Sequence, residues 1–150
     1  MKIVRSSEPV LFFSKKEKEK ILHAIEAAEG KTSGEIRVHL ERKVKDDIMA
    51  HAKEVFERMG MAKTERRNGV LIFMGVKSKR FVVIGDQGIH EQVPAGFWDE
   101  VVSEMTSCFR RDEFAEGLSR GILKIGEQLA QIFPHEVGDV NELSDGISYS

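Results

Sequence analysis

The spacing of apolar runs in this 150-residue chain predicts an α/β protein, a three-layer α/β/α sandwich around a small mixed β-sheet. Three observations carry that expectation. Residues 35–41 alternate, with Ile36, Val38 and Leu40 on one face and Arg37, His39 and Glu41 on the other, the pattern of a half-exposed strand. Two runs rich in Val, Ile and Phe, 69–76 and 81–84, flank the short polar link Lys77-Ser78-Lys79, which favours an antiparallel hairpin over a crossover. Between the first strand and the hairpin, Ile48, Met49, Ala52, Val55, Phe56 and Met59 recur at helical spacing over 47–59. Strand, helix, strand is a parallel, right-handed crossover.

Residues 1–13 form an N-terminal docking segment whose apolar tip is Val10-Leu11-Phe12-Phe13. Ser14 caps a helix and Glu17, three residues on, completes a capping box. That helix runs to Glu29 with Ile21, Leu22, Ala24, Ile25 and Ala28 on its buried stripe, and Gly30 stops it. After the hairpin, 97–109 reads as a helix carrying Trp98, Val101, Val102, Met105 and Phe109. The span 113–133 is the longest helix, with Phe114, Leu118, Ile122, Ile125, Leu129 and Ile132 three or four apart and Pro134 as terminator. The domain therefore covers 14–134. Residues 135–150 are polar and aperiodic, and are expected to form a mobile tail.

Composition narrows the function classes. A net charge of -2 and no interleaving of basic and aromatic residues argue against a nucleic-acid surface. No run approaches eighteen apolar residues, so no membrane span is expected, and the N-terminus lacks the apolar core of a signal peptide. Cys108, the single cysteine, excludes an internal disulfide and suits a cytoplasmic location. The histidines at 23, 39, 51, 90 and 135 show no ligand spacing on one helix, so zinc is not expected.

Hairpin geometry and the crossover together place the beginnings of the first two strands beside the end of the third. Thr32, Ser33 and Glu35 thus join Arg66, Asn68, Asp86 and Gln87 at one sheet edge. Arg66 and Arg80 are the expected ion-pair partners of the carboxylates there.

The motifs T-S-G-E-I-R-V at 32–38, N-G-V-L-I-F at 68–73, R-F-V-V-I-G-D-Q-G-I at 80–89 and F-x-x-G-L-x-x-G-I at 114–122 occur in that order. Their combination resembles the TPM domain, named for thylakoid, photosystem-II-associated and nematode membrane proteins. The resemblance covers about 14–134 and implies the same α/β/α sandwich. It also implies diverse roles: calcium binding in some members, weak acid hydrolysis of phosphate esters in plant ones, and photosystem repair or receptor accessory functions in others. The chain resembles the shorter subgroup, without a flanking membrane helix. It departs from the family at Lys79, where an acidic residue is common, and offers Glu91 as the nearest acid after the G-x-G turn.

On that footing Glu35, Asn68 and Asp86 are candidate calcium ligands, with Asp99 as an outlying fourth. Calcium takes six to eight oxygens from flexible loops, which a mixed set of carboxylate, amide and backbone oxygens can supply. Asp86 equally suits an Asx-turn, its carboxylate accepting from nearby backbone N–H groups. The function expected is a binding or accessory module with a protein partner. The alternative is a weak metal-assisted acid phosphatase, with Thr32, Ser33 and Asp86 as nucleophile candidates and no recognisable phosphatase signature around them.

Overall fold

Backbone groups of the three central segments are satisfied in one mixed sheet with strand order β3-β2-β1-β4. The computed structural model describes residues 5–135 and 146–150. Strand β1 is Glu35–Glu41, β2 Gly69–Gly75, β3 Arg80–Gly85 and β4 Gly146–Tyr149. Strands β1 and β2 are parallel, from Glu35 opposite Gly69 to Glu41 opposite Gly75. Strands β2 and β3 form the antiparallel hairpin, from Val70 opposite Gly85 to Gly75 opposite Arg80. The helices are α1 Pro9–Phe12, α2 Lys15–Glu29, α3 Ile48–Arg58, α4 Gln87–His90, α5 Phe97–Phe109 and α6 Phe114–Ile132.

Period-two alternation splits the strands between two cores. Ile36, Val38, Leu40, Val70, Ile72 and Met74 face α2, α5 and α6, while Leu71 and Phe73 face α3 through Ala52, Val55 and Phe56. The sandwich is therefore α/β/α. Burial corrects the reading of β1 as half exposed: its polar face lies under α3 and beside β4, so His39 and Glu41 are buried. Leu22, Met49 and Val102, placed on buried stripes by spacing alone, are exposed.

The helix signals act locally, as capping chemistry requires. Ser14 Oγ accepts from Glu17 N at 3.2 Å and the Glu17 carboxylate accepts from Ser14 N at 3.0 Å, both halves of the box. Asp47 caps α3 by accepting from Ala50 N at 3.1 Å. Helix α6 approaches its neighbours through glycines: a Cβ on Gly126 would lie 2.5 Å from Ala28 Cβ on α2.

The N-terminal segment docks through Phe12 and Phe13, whereas Val10 and Leu11 face solvent. Arg5 holds it down. Its guanidinium lies 5.2, 5.7 and 5.3 Å from the ring centres of Phe12, Phe13 and Phe114, and grips Glu17 at 2.8 and 2.7 Å. The expected mobile tail over 135–150 fails at its end. Residues 146–149 are β4, parallel to β1 with Arg37 opposite Gly146 and Leu40 opposite Tyr149. Four residues are too few to show a period, and Ile147 and Tyr149 pack on the larger core. Residues 136–145 lie outside the described residues.

Candidate functional site

The end of the β2–β3 hairpin is a tightly bonded polar turn. Asp86 N donates to Gly69 O at 2.9 Å, and Gly88 N donates to Arg67 O at 3.0 Å. Residue 88 has to be glycine here: a Cβ would come within 2.4 Å of Arg66 O and 2.6 Å of Arg67 O. Arg67 itself adopts a left-handed backbone, φ 52°. That places its guanidinium against Asp86, with Nε 2.7 Å from Oδ2 and Nη2 2.9 Å from Oδ1. Asp86 Oδ1 also accepts from Gln87 N at 2.8 Å, which caps α4. The hydrogen bond to Asp86 raises the pKa of Arg67 above its already high ordinary value, with Glu57 adding a smaller attraction.

Asp86 thus makes the local turn bond expected of an Asx residue and an ion pair besides. The partner is Arg67. Arg80 starts β3 at the opposite end of the hairpin and donates to Asp46 O at 3.5 Å.

The four predicted ligands do not form one set. Glu35 and Asp86 flank Gly69 in a row across three strands and share the α3 side of the sheet. Two strand spacings, about 9–10 Å, separate their backbones. Buried Met61 fills the space above Gly69 between them, its methyl 3.3 Å from where a Cβ would sit. Asn68, one residue earlier in the alternation, turns to the opposite side, where its amide donates to Ser33 Oγ at 3.3 Å. Its Oδ1 is buried without a hydrogen-bond partner among the described residues. Asp99 is exposed on α5, in a separate groove with Ser103, Ser107, Arg120 and Lys124. The sheet edge is shared as topology requires, but alternation and Met61 divide it.

The nucleophile candidates are engaged as well. Thr32 Oγ1 donates to Phe133 O and accepts from Gly34 N, and Ser33 Oγ accepts from Asn68. A pocket of about 200 Å³ reaches Asp86 from the α3 side, lined by Lys53, Phe56, Glu57, Ile84 and Gly85.

A second polar cluster escaped sequence reasoning. His39 Nε2 lies 3.3 Å from Glu41 Oε2 and His51 Nε2 lies 3.2 Å from Glu41 Oε1, with Arg58 3.8 Å from Oε2. The alternation of 39 with 41 was a usable signal; the arrival of His51 across the crossover was not. Two imidazoles on one carboxylate suggest a metal, but the hydrogen bonding of His51 opposes it. Lys45 N donates to His51 Nδ1 at 3.1 Å, so the proton of a neutral His51 sits on Nε2, the atom a metal would need bare. Among the described residues, no group of three or more His, Cys, Asp or Glu is arranged to hold a metal ion.

No helix among the described residues is long and apolar enough to cross a membrane. Comparison with curated proteins finds no match. Among solved structures, the protein BA42 from the psychrophilic bacterium Bizionia argentinensis is 40% identical, covering 97% of this chain and 100% of its own, with a TM-score of 0.88. The N-terminal domain of a P. gingivalis protein shares the fold at 21% identity and a TM-score of 0.66, covering 83% of this chain and 82% of its own. The sequence model of the TPM domain matches residues 8–128, and with that span, the ordered motifs and the shared sandwich the chain belongs to the TPM domain family.

Proposed function

We propose that the chain is a TPM-type binding module, serving a protein partner in the cytoplasm, whose ligand position is the Asp86 end of the hairpin and whose ligand is calcium. The observation that carries this reading is a buried carboxylate neutralised from the surface. Asp86 has a side chain only 6% exposed, while its counter-ion Arg67 is 38% exposed, where another cation can compete with it. A carboxylate offers about four acceptor positions, and three are occupied here, leaving one on Oδ2. Glu57 supplies a second carboxylate in the adjoining pocket. Backbone carbonyls and water complete the oxygen shell that calcium prefers. Glu35, Asn68 and Asp99 stay outside this reduced set for the reasons of facing and distance given above. The phosphatase alternative is the weaker reading, because each of its candidate nucleophiles already has a structural bond.

Calcium titration followed by backbone NMR tests the assignment. Shifts should centre on Arg67, Asp86 and Gln87 and vanish in Asp86→Asn. Absence of any shift at millimolar calcium would overturn the reading, and shifts confined to Asn68 and Ser33 would move the site to the other face of the sheet.

A further inference from the structure

We infer that His39 is a proton-operated latch for the C-terminal strand: its neutral imidazole fastens β4 to β1, and its protonation lets β4 lift from the sheet. The geometry is specific to this residue. His39 sits opposite Ser148 in the parallel ladder. Its Nδ1 lies 2.7 Å from Ser148 Oγ and its Nε2 2.7 Å from Ser150 Oγ, so one ring spans two alternate residues of the docked segment. Ser150 N adds a bond to Leu40 O at 3.0 Å. A neutral imidazole has one donor and one acceptor nitrogen, and serine hydroxyls can complement both in either tautomer.

The surroundings decide what protonation does. The ring is only 3% exposed and lies flat on Phe73 of β2, centroids 5.9 Å apart at 19°. From β1 it faces Arg37 and Glu41 and from α3 Arg58, with His51 on the other oxygen of Glu41, while the segment 146–150 brings the hydroxyls of Ser148 and Ser150. Glu41 favours the imidazolium, but it also serves His51. Arg37 and Arg58 oppose it. Burial is the largest influence and holds the His39 pKa below its ordinary value. The sign follows. A histidine with a lowered folded pKa contributes stability that is present above about pH 6.5 and is lost as pH falls from there through the depressed value.

Hydration of the new charge needs one wall of the site to open. The sheet centre cannot, because α2, α5, α6 and α3 clamp both of its faces. Strand β4 can: it is four residues long and, among the described residues, it is the last strand in the order and pairs with β1 alone. Lifting it bares the N–H and C=O row of β1, a template on which another extended segment can pair.

The experiment follows the His39 ring shift and the amide exchange of Ile147 and Tyr149 by NMR in the full chain, from about pH 7.5 to 4.5. After correction for intrinsic exchange, β4 amides should speed up by about tenfold or more with the His39 midpoint, while Leu118 and Ile122 stay protected. In His39→Gln the β4 rate should no longer depend on pH. In the Ser148→Ala, Ser150→Ala double variant, which leaves the ring in place, β4 exchange should be about tenfold faster already at neutral pH, as loss of two modest hydrogen bonds predicts. Constant β4 protection through the His39 titration would overturn the latch. So would an acid step of the same midpoint surviving in His39→Gln.

Discussion

Arg67 grips Asp86 with two parallel hydrogen bonds of 2.7 and 2.9 Å across nineteen positions of sequence, and does so from a left-handed backbone. The pair closes the end of the β2–β3 hairpin. The exposed partner carries the cation and the buried partner the anion, so the bond is both a structural tie and the point where another cation can compete.

Replacing Asp86 by Ala removes the tie and the cap on Gln87 N together. Loss of the cap alone costs about 0.5–2 kcal/mol. Chemical denaturation should show a lower midpoint with unchanged m. A midpoint equal to that of the parent chain would mean that the turn is held by its backbone bonds to Gly69 and Arg67 without help from the carboxylate.

Glu17 links acid stability to the N-terminal segment. Its hydrogen bond to Arg5 is the largest influence lowering its pKa, with the Ser14 N–H and the Arg5 charge adding to it. A carboxylate with a depressed folded pKa contributes stability that is present above about pH 4.3 and lost as pH falls through the depressed value. Thermal melts of Glu17→Gln should therefore lie below the parent at neutral pH and converge with it in acid. Parallel curves at every pH would remove the Arg5–Glu17 pair from the acid response.

Gly126→Ala sets helix propensity against packing. Alanine gains about 1 kcal/mol over glycine inside a helix. Its Cβ, however, would lie 2.5 Å from Ala28 Cβ and 2.9 Å from Ala28 Cα, and backbone cannot yield as a flexible side-chain tip can. Overpacking of this kind costs about 1–3 kcal/mol, so the net change should be destabilising. Combining it with Ala28→Gly should recover part of the loss, and the double-mutant cycle measures the coupling. Strict additivity would show that α2 and α6 do not meet at this pair.

The local signals were legible because each is completed within a few residues. The Ser14–Glu17 box, the Asp47 cap and the hairpin link all act on their own neighbourhood. The candidate site was legible only as an edge. Topology correctly gathered Glu35, Asn68 and Asp86 at one end of the sheet, but whether they share a ligand depends on which face each side chain takes and on what fills the gap. Met61 reaches Gly69 from a short turn after α3, and nothing in the spacing of residues 61–69 announces that. Arg67 pairs with Asp86 through a positive φ that its residue type does not advertise.

By itself the sequence determined the order and type of the main elements, the parallel crossover with its hairpin, and membership of the TPM domain family through motifs spread over the chain. Only the tertiary structure decided that β1 is buried on both faces, that residues 146–149 join it as a parallel strand, and that His39, Glu41 and His51 meet. The reason is one of range. Periodicity, caps and turns are set by neighbours along the chain, whereas the cover of a sheet face and the burial of a charge are set by segments far apart in sequence that meet only when the layers close.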